Sequence, residues 1–359
     1  MAQAVKTISI LRKQPAMRRV ILGLIPCIAG AIYYFGWRSL AAVVFCCVIG
    51  FFYEWLFCRW RKEPVSEAVF VTAVLFALVM PPGVGWHVMA VGMGFAVLFS
   101  KEMFGGFAKN IFNPAVAGRC FVYICFPVAL TGSWYPPAQE SLGALNRWST
   151  MTTVDGVSAK TSATPLAHAK AGRLLPVSSS DPQSVSSVPF SMTEDQTIKI
   201  NKWAFWKTLF VGRMPGTMGV TSAGLILLGG IYLYFTKTAS RTIILTMIIT
   251  YFCLSELLFQ LGIKPVPMGL SAVLGGGFLL AAFFMATDPV SSPRTEQAKI
   301  AYAIIICICT VVIRNFSIFN GGLMFSILIG NMFAPILDYA VKEYWPKKKP
   351  AAVPAKGAA

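Results

Sequence analysis

The sequence predicts an all-α integral membrane protein of about ten transmembrane helices, arranged as a 5+5 inverted repeat with one long extracytoplasmic loop. Three observations predict it. Of 359 residues, 56% are hydrophobic and only 13% charged, with a mean hydropathy of +0.66; a soluble domain carries roughly a quarter charged residues. The apolar residues fall in blocks rather than at amphipathic spacing, and a hydrocarbon core about 30 Å thick needs ~20 of them per helix. The net charge of +17 sits at the edges of those blocks, as the positive-inside rule requires. No basic stripe interleaved with exposed aromatics accompanies it, so no nucleic-acid partner is expected.

Residues 1–18 form a basic cytoplasmic segment, and the block after it is a full-length span with no small-residue cleavage site. Spans are expected near 19–36, 39–58, 66–81, 86–101 and 113–131, making a first membrane half over 19–131. Pro81-Pro82-Gly83 forces a tight turn between two short spans, and such interrupted segments mark binding sites in transporter-like folds. A Ser/Thr/Pro-rich loop and re-entry segment follows over 132–215, long enough to be functional or a linker. The second half, 216–341, holds spans near 216–236, 241–261, 266–286, 299–317 and 320–341, before a basic tail over 342–359.

Charge sets the orientation. Arg12, Lys13, Arg18, Arg19, Arg59, Arg61, Lys62, Lys101, Lys109, Lys237, Arg241, Arg294 and Lys299 fall on one side, with only Arg38, Lys264 and Arg314 in the short loops of the other. Both termini are therefore expected in the cytoplasm and the long loop outside. Asn110-Ile-Phe-Asn-Pro114 faintly resembles Asn331-Met-Phe-Ala-Pro335, which suits a repeat. The nine cysteines lie in or beside apolar blocks without a CxxC pair and read as small lipid- or helix-facing residues.

Four polar motifs stand out. In Phe104-Gly-Gly-Phe-Ala-Lys-Asn-Ile-Phe-Asn-Pro-Ala115, Asn110 and Asn113 are three apart and would share a face on a helical start. Paired carboxamides suit a heteroaromatic ring, and helix capping is their ordinary alternative. Ser162-Ala-Thr-Pro-Leu-Ala167 places Thr164 in the polar loop, where local physics gives only a turn. Phe284-Met-Ala-Thr-Asp-Pro-Val-Ser291 puts Asp288 at a span end, as a turn, cap or site residue. Gly212-Arg-Met-Pro-Gly-Thr-Met-Gly-Val-Thr-Ser222 opens a span and offers either an anion site at a helix N-terminus or a membrane-entry turn. Glu54, Glu256 and Asp338 are acids within spans, and hence candidates for a cation or proton pathway.

Together and in this order, these motifs resemble one family: the D subunit of the Rnf ferredoxin:NAD+ oxidoreductase complex and the homologous B subunit of the Na+-translocating NADH:quinone oxidoreductase. The likeness runs from Leu11 to Tyr339. It implies FMN esterified through its phosphate to Thr164 by a flavin transferase outside the cytoplasm, and a non-covalent riboflavin lined by Asn110 and Asn113 with Asp288 nearby. It also implies Glu54, Asp288 and Asp338 on an ion pathway coupled to Na+ or H+, other subunits of an Rnf or Nqr complex as partners, and a place in the bacterial inner membrane. Asp155 stands further from Thr164 than the family's motif has it. The short N-terminal segment, SATPL and NIFNPA resemble the Rnf form, and the stretch at Gly216 the Nqr form. A flavin-free channel or secondary transporter of similar fold would show the same polar span ends, and a purely structural anchor would leave the asparagines only capping.

Overall fold

The computed structural model describes residues 11–138, 140–150, 174–177, 198–212, 214–263, 265–317 and 321–344. Thr164 and Asp155 lie outside them. The chain is mostly helical, and five described helices are long and apolar enough to cross a membrane: α1 (Pro15–Phe35), α2 (Trp37–Arg61), α9 (Arg241–Gln260), α12 (Glu296–Phe316) and α13 (Gly322–Tyr344). Their outer faces expose apolar side chains such as Val48 at 61% and Ile249 at 59%. A bilayer tolerates such a surface, because every backbone polar group of a helix is paired internally.

Between them run shorter elements: α3 (Ala68–Leu78), α4 (Trp86–Val97, continuing as a π-helical turn at Leu98–Glu102), α5 (Pro114–Cys125), α6 (Pro127–Thr131), α7 (Lys202–Val211), α8 (Ala223–Phe235), α10 (Gly269–Leu274) and α11 (Phe278–Leu280, continuing as a π-helical turn at Ala281–Met285). Two small parallel strand pairs depart from a purely helical chain. β1 (Leu11–Arg12) lies beside β2 (Val65–Ser66), and β3 (Leu174–Val177) beside β4 (Ile198–Asn201).

Three expected spans are interrupted, each for a local reason. The segment near 266–286 breaks where Gly276 and Gly277 take φ of 59° and 74°, a left-handed backbone that glycine adopts without a Cβ clash. The segment near 113–131 stops at Phe126, ahead of Pro127, because a residue before proline is pushed out of the helical region. The segment near 216–236 is helical only from Ala223, capped by Ser222, whose Oγ accepts from the Leu225 amide at 3.4 Å. Before it, the Met218 and Gly219 amides donate to the carbonyls of Met80 and Leu78 at 3.1 and 2.7 Å, closing the free end of α3.

In the first half, α2 packs on α3 and α4, and α4 packs on α5. In the second, α9 packs on α10 and α12, and α12 packs on α13. The halves meet through α1 against α8 and α5 against α13. At the first crossing Gly23 and Gly229 touch backbone to backbone. In lipid, such small residues give helices close van der Waals contact. The half-length elements α3 and α11 are buried almost throughout, as helices apolar on all sides must be.

Two residues expected as loop charges are buried in helices. Arg38, 8% exposed in the first turn of α2, donates to the carbonyls of Pro82 and Val84 and so holds the Pro81–Gly85 turn. Arg314, 2% exposed, sits in the last turn of α12.

Candidate functional site: two cavities along one helix

The chain between α4 and α5 cannot stay helical. Gly105, Gly106 and Ala108 take φ of 100°, 91° and 67°, and this winds the backbone back toward the bundle. It ends at Asn113, whose Oδ1 accepts from the amides of Ala115 and Val116 at 3.1 and 3.4 Å. This is an N-cap, with Pro114 at the first helical position, where a missing N–H is harmless. The other end of the carboxamide, Nδ2, donates to the Met285 carbonyl at 3.1 Å. Asn110 stays in the loop, its Nδ2 donating to the Phe112 carbonyl at 3.0 Å. The expectation of a shared helical face is thus corrected: Asn113 precedes the helix as its cap, and the loop rather than a helix turn sets the pair.

Both asparagines are buried and line one cavity, together with Asp288, Lys101, Phe107 and Thr287. Its volume is about 750 Å³ counted with its mouth, and Ala16 and Met17 at the start of α1 help line it, so we call it the N-side cavity. Asp288 lies just beyond the π-helical turn. Its Oδ2 accepts from Ser291 Oγ at 2.9 Å and its Oδ1 from the Val290 amide at 3.3 Å. Loss of water raises its carboxyl above the ordinary aspartate range, while the bonds from Ser291 and Val290 and the Lys101 ammonium pull partly the other way.

Lys101 has no motif of its own in the sequence, yet it joins the cavity to an acid that is a candidate there. Its Nζ donates to Glu54 Oε2 at 2.6 Å and to Ser66 Oγ at 2.8 Å, and it lies 6.0 Å from the Phe107 ring centroid. Ser66 completes the cluster by donating from its amide and hydroxyl to Glu54 Oε1 at 2.9 and 2.8 Å. The two charged side chains are 3% and 1% exposed, so each is tolerable only because the other is present. Glu54 therefore stands one partner behind the cavity wall.

The other acids are engaged elsewhere. Asp338 of α13 accepts from the amides of Arg294 and Thr295 at 2.8 and 2.9 Å and from Thr295 Oγ1 at 2.8 Å, closing the start of α12. Glu256 accepts from the Gly269 amide at 2.9 Å, at the start of α10. Neither lines the N-side cavity.

A second cavity, about 1460 Å³ with its mouth, is lined by Thr131 and Trp134 ahead of the long loop and by Phe205 and Leu209 after it. Arg119, Arg314 and Gly275–Gly277 are also among its lining residues. We call it the loop-side cavity. Thr217 and Thr221 of the Gly212–Ser222 motif line it too. Within that motif, the amides of Met218 and Gly219 are committed to the end of α3.

The two cavities share their walls. Asn113 lines one and Arg119 the other, and six residues of helix rise about 9 Å. Leu75 and Val79 divide in the same way around α3, as do Phe283 and Gly277 around α11. Lys101, Arg119 and Arg314 are the cavity residues that sequence reasoning passes over. A signal for them exists, since each is a cation inside or against an apolar block, and an intramembrane cation is as costly as an intramembrane acid.

Comparison with known proteins places this architecture. The model of the family described as NQR2, RnfD, RnfE matches residues 8–345. The chain is similar to the B subunit of the Na(+)-translocating NADH-quinone reductase of Ectopseudomonas mendocina, 34% identical over 319 residues covering 88% of this chain and 68% of that protein. The corresponding protein of Neisseria meningitidis serogroup B, which has the same name, is 34% identical over 327 residues, 90% and 70% of the two chains. That of Klebsiella pneumoniae strain 342 is 32% identical over 299 residues, 82% and 64% of the two.

Proposed function

The chain belongs to the NQR2, RnfD, RnfE family, and from that premise we propose that it carries electrons between two flavins within a multi-subunit pump. By its family and relatives the chain is a membrane subunit of an Nqr/Rnf-type ion-translocating redox complex. In this proposal riboflavin occupies the N-side cavity and FMN is attached to Thr164 by a flavin transferase.

One observation carries the reading: Asn110 and Asn113 of one loop and Asp288, distant from them in sequence, converge on one apolar cleft. Carboxamides and a carboxyl offer donors and acceptors to the edge of an uncharged heteroaromatic ring, and the apolar wall suits its faces. When bound, the flavins supply the electron-carrying chemistry. The protein's own part is to orient and to exclude water. Asn113 is fixed at both ends of its carboxamide, and Asn110 is fixed by Phe112, so neither needs to reorganise around a ring.

Glu54, Asp288 and Asp338 are proposed as ion-pathway acids, with Lys101 holding the Glu54 charge in place. The matching packing of the halves, α2 with α3 and α4 against α9 with α10 and α12, supports the 5+5 inverted repeat. In the proposed orientation, in the bacterial inner membrane, the N-side cavity faces the cytoplasm and the long loop lies outside. Sequence motifs favour an Rnf complex. The Nqr complex is the second reading, favoured by relatives of that name at 34% identity.

The test is flavin content after denaturing release. The complex from wild-type cells should yield free riboflavin, and Asn110→Ala with Asn113→Ala should abolish it while leaving covalent flavin intact. Unchanged riboflavin in a folded double variant would take the N-side cavity out of the account.

A further inference from the structure

Lys101 belongs to two places at once. Its Nζ donates to Glu54 Oε2 and Ser66 Oγ at 2.6 and 2.8 Å, yet the same side chain lines the N-side cavity with Phe107 and Asp288. An ammonium carries three N–H donors, and the described residues engage two of them. The Phe107 ring, 6.0 Å from Nζ to its centroid, offers the charge a second and weaker seat on the cavity side. Lysine is a compact charge on a flexible four-carbon stem, so it can shift between the two while the backbone stays put. It sits in the π-helical turn that ends at Glu102, a distortion frequent at functional sites.

Glu54 is held without the lysine. The Ser66 amide and hydroxyl donate to Oε1 at 2.9 and 2.8 Å, so a departing ammonium bares only Oε2. Glu102 lies close enough to Glu54 for their charges to repel. One of its oxygens, Oε2, pairs with Arg61, and the other, Oε1, is buried with no partner among the described residues. A free acceptor of this kind is a ligand for a cation. The charges of Glu54, Glu102, Lys101 and Arg61 sum to zero. Withdrawing the lysine leaves one buried negative charge, which a cation or a proton must meet. Across the cavity, Asp288 is bonded instead by the Ser291 hydroxyl and the Val290 amide.

We propose, resting on the reading of Glu54 as an ion-pathway acid and of the N-side cavity as a flavin site, that Lys101 is an exchangeable counter-ion. Negative charge arriving in the cavity draws its ammonium off Glu54, and Glu54, with Ser66 and Glu102, takes up one monovalent cation in its place. The charges balance: one negative charge enters, the lysine meets it, and one sodium ion or proton replaces the lysine. With sodium no covalent bond changes; with a proton, drawn from water, an O–H bond forms at Glu54. When the negative charge leaves, the lysine returns and displaces the cation. Electron arrival at one site and cation uptake at the other are thereby linked through a single side chain.

The experiment labels the purified complex with dicyclohexylcarbodiimide, which adds to a protonated buried carboxyl and not to one held in an ion pair. Labelling of Glu54 is read by mass spectrometry in sodium-free choline chloride. In the oxidised wild type Glu54 should stay unlabelled. After photochemical reduction with deazaflavin and EDTA, its labelling should rise at least about tenfold, because a buried carboxylate without its counter-ion takes a proton. Lys101→Met should be labelled in both states, and Lys101→Arg, which keeps the charge, should be unlabelled when oxidised. Added sodium chloride then identifies the ion: suppression of the label means sodium, an unchanged label means a proton, and both support the exchange. In a complex that contains riboflavin, equal labelling of the oxidised and reduced wild type overturns the proposal, as does an unlabelled Glu54 in folded Lys101→Met. If Lys101→Met does not fold, the oxidised and reduced wild type decide alone. A complex without riboflavin fails the flavin reading instead, and there Lys101→Met decides the exchange at Glu54.

Discussion

Asn113 ties the two halves of the chain together, donating from Nδ2 to the Met285 carbonyl at 3.1 Å while its Oδ1 caps α5. The same side chain lines the N-side cavity. Structure and binding therefore load onto separate atoms of one carboxamide, and substitutions can part them. Asn113→Asp keeps the acceptor and should keep the cap, yet it removes the donor to Met285. Asn113→Ala removes both, and loss of the cap alone costs about 0.5–2 kcal/mol. We expect both variants to lower the thermal midpoint in detergent, Asn113→Ala by losing the cap and Asn113→Asp by setting a buried carboxylate oxygen against the Met285 carbonyl, and both to lose released riboflavin. Full riboflavin retention by Asn113→Asp would show that the donor plays no part.

The Glu54–Lys101 pair makes a prediction about charge. Glu54→Gln leaves a buried ammonium without its counter-ion, which should cost about 3–5 kcal/mol. Glu54→Gln with Lys101→Met removes both charges and should recover most of that loss. Thermal unfolding of the three proteins checks it, and a single variant no worse than the double would mean that the pair is not buried as described.

The α1–α8 crossing depends on Gly23 and Gly229, whose backbones touch. Gly229→Ala would drive a methyl group into the Gly23 carbonyl, and the helices must part. Overpacking of this kind costs typically about 1–3 kcal/mol. The expected result is a lowered thermal midpoint with unchanged helix content by circular dichroism. A midpoint equal to wild type would contradict the contact.

Asp288 has a carboxyl raised above its ordinary range, chiefly by burial, so between the unfolded and the folded value the folded state binds more proton than the unfolded chain. Its favourable contribution is full below the unfolded value of ~3.9 and is lost as pH rises through the folded value. Asp288→Asn mimics the protonated form and should flatten that part of the stability profile. Melting curves from about pH 4 upward test it, starting at the unfolded value. Identical profiles for both proteins would mean that Asp288 ionises as an exposed aspartate does.

The long apolar helices α1, α2, α9, α12 and α13 were legible because hydropathy alone defines a full span. Hydropathy could not show where α3, α10 and α11 stop, since half-helices and full spans share one composition. Gly276, Gly277 and Pro127 carried that information, but only backbone geometry says which glycines turn left-handed. Asn110, Asn113 and Asp288 were legible through motif resemblance, and the tertiary fold was needed to bring them to one cavity. Arg119 and Arg314 were not, because a lone arginine in an apolar run does not reveal whether an acid or a ligand faces it.

The central claim is that this chain is a flavin-bearing redox subunit, and in-gel ultraviolet fluorescence tests it most directly. The wild type and Thr164→Val are each co-expressed with a flavin transferase and run denatured. A yellow-green band is expected in the wild type and is lost in Thr164→Val. No band in the wild type, with the transferase shown active on a control, would contradict it and favour a flavin-free transporter.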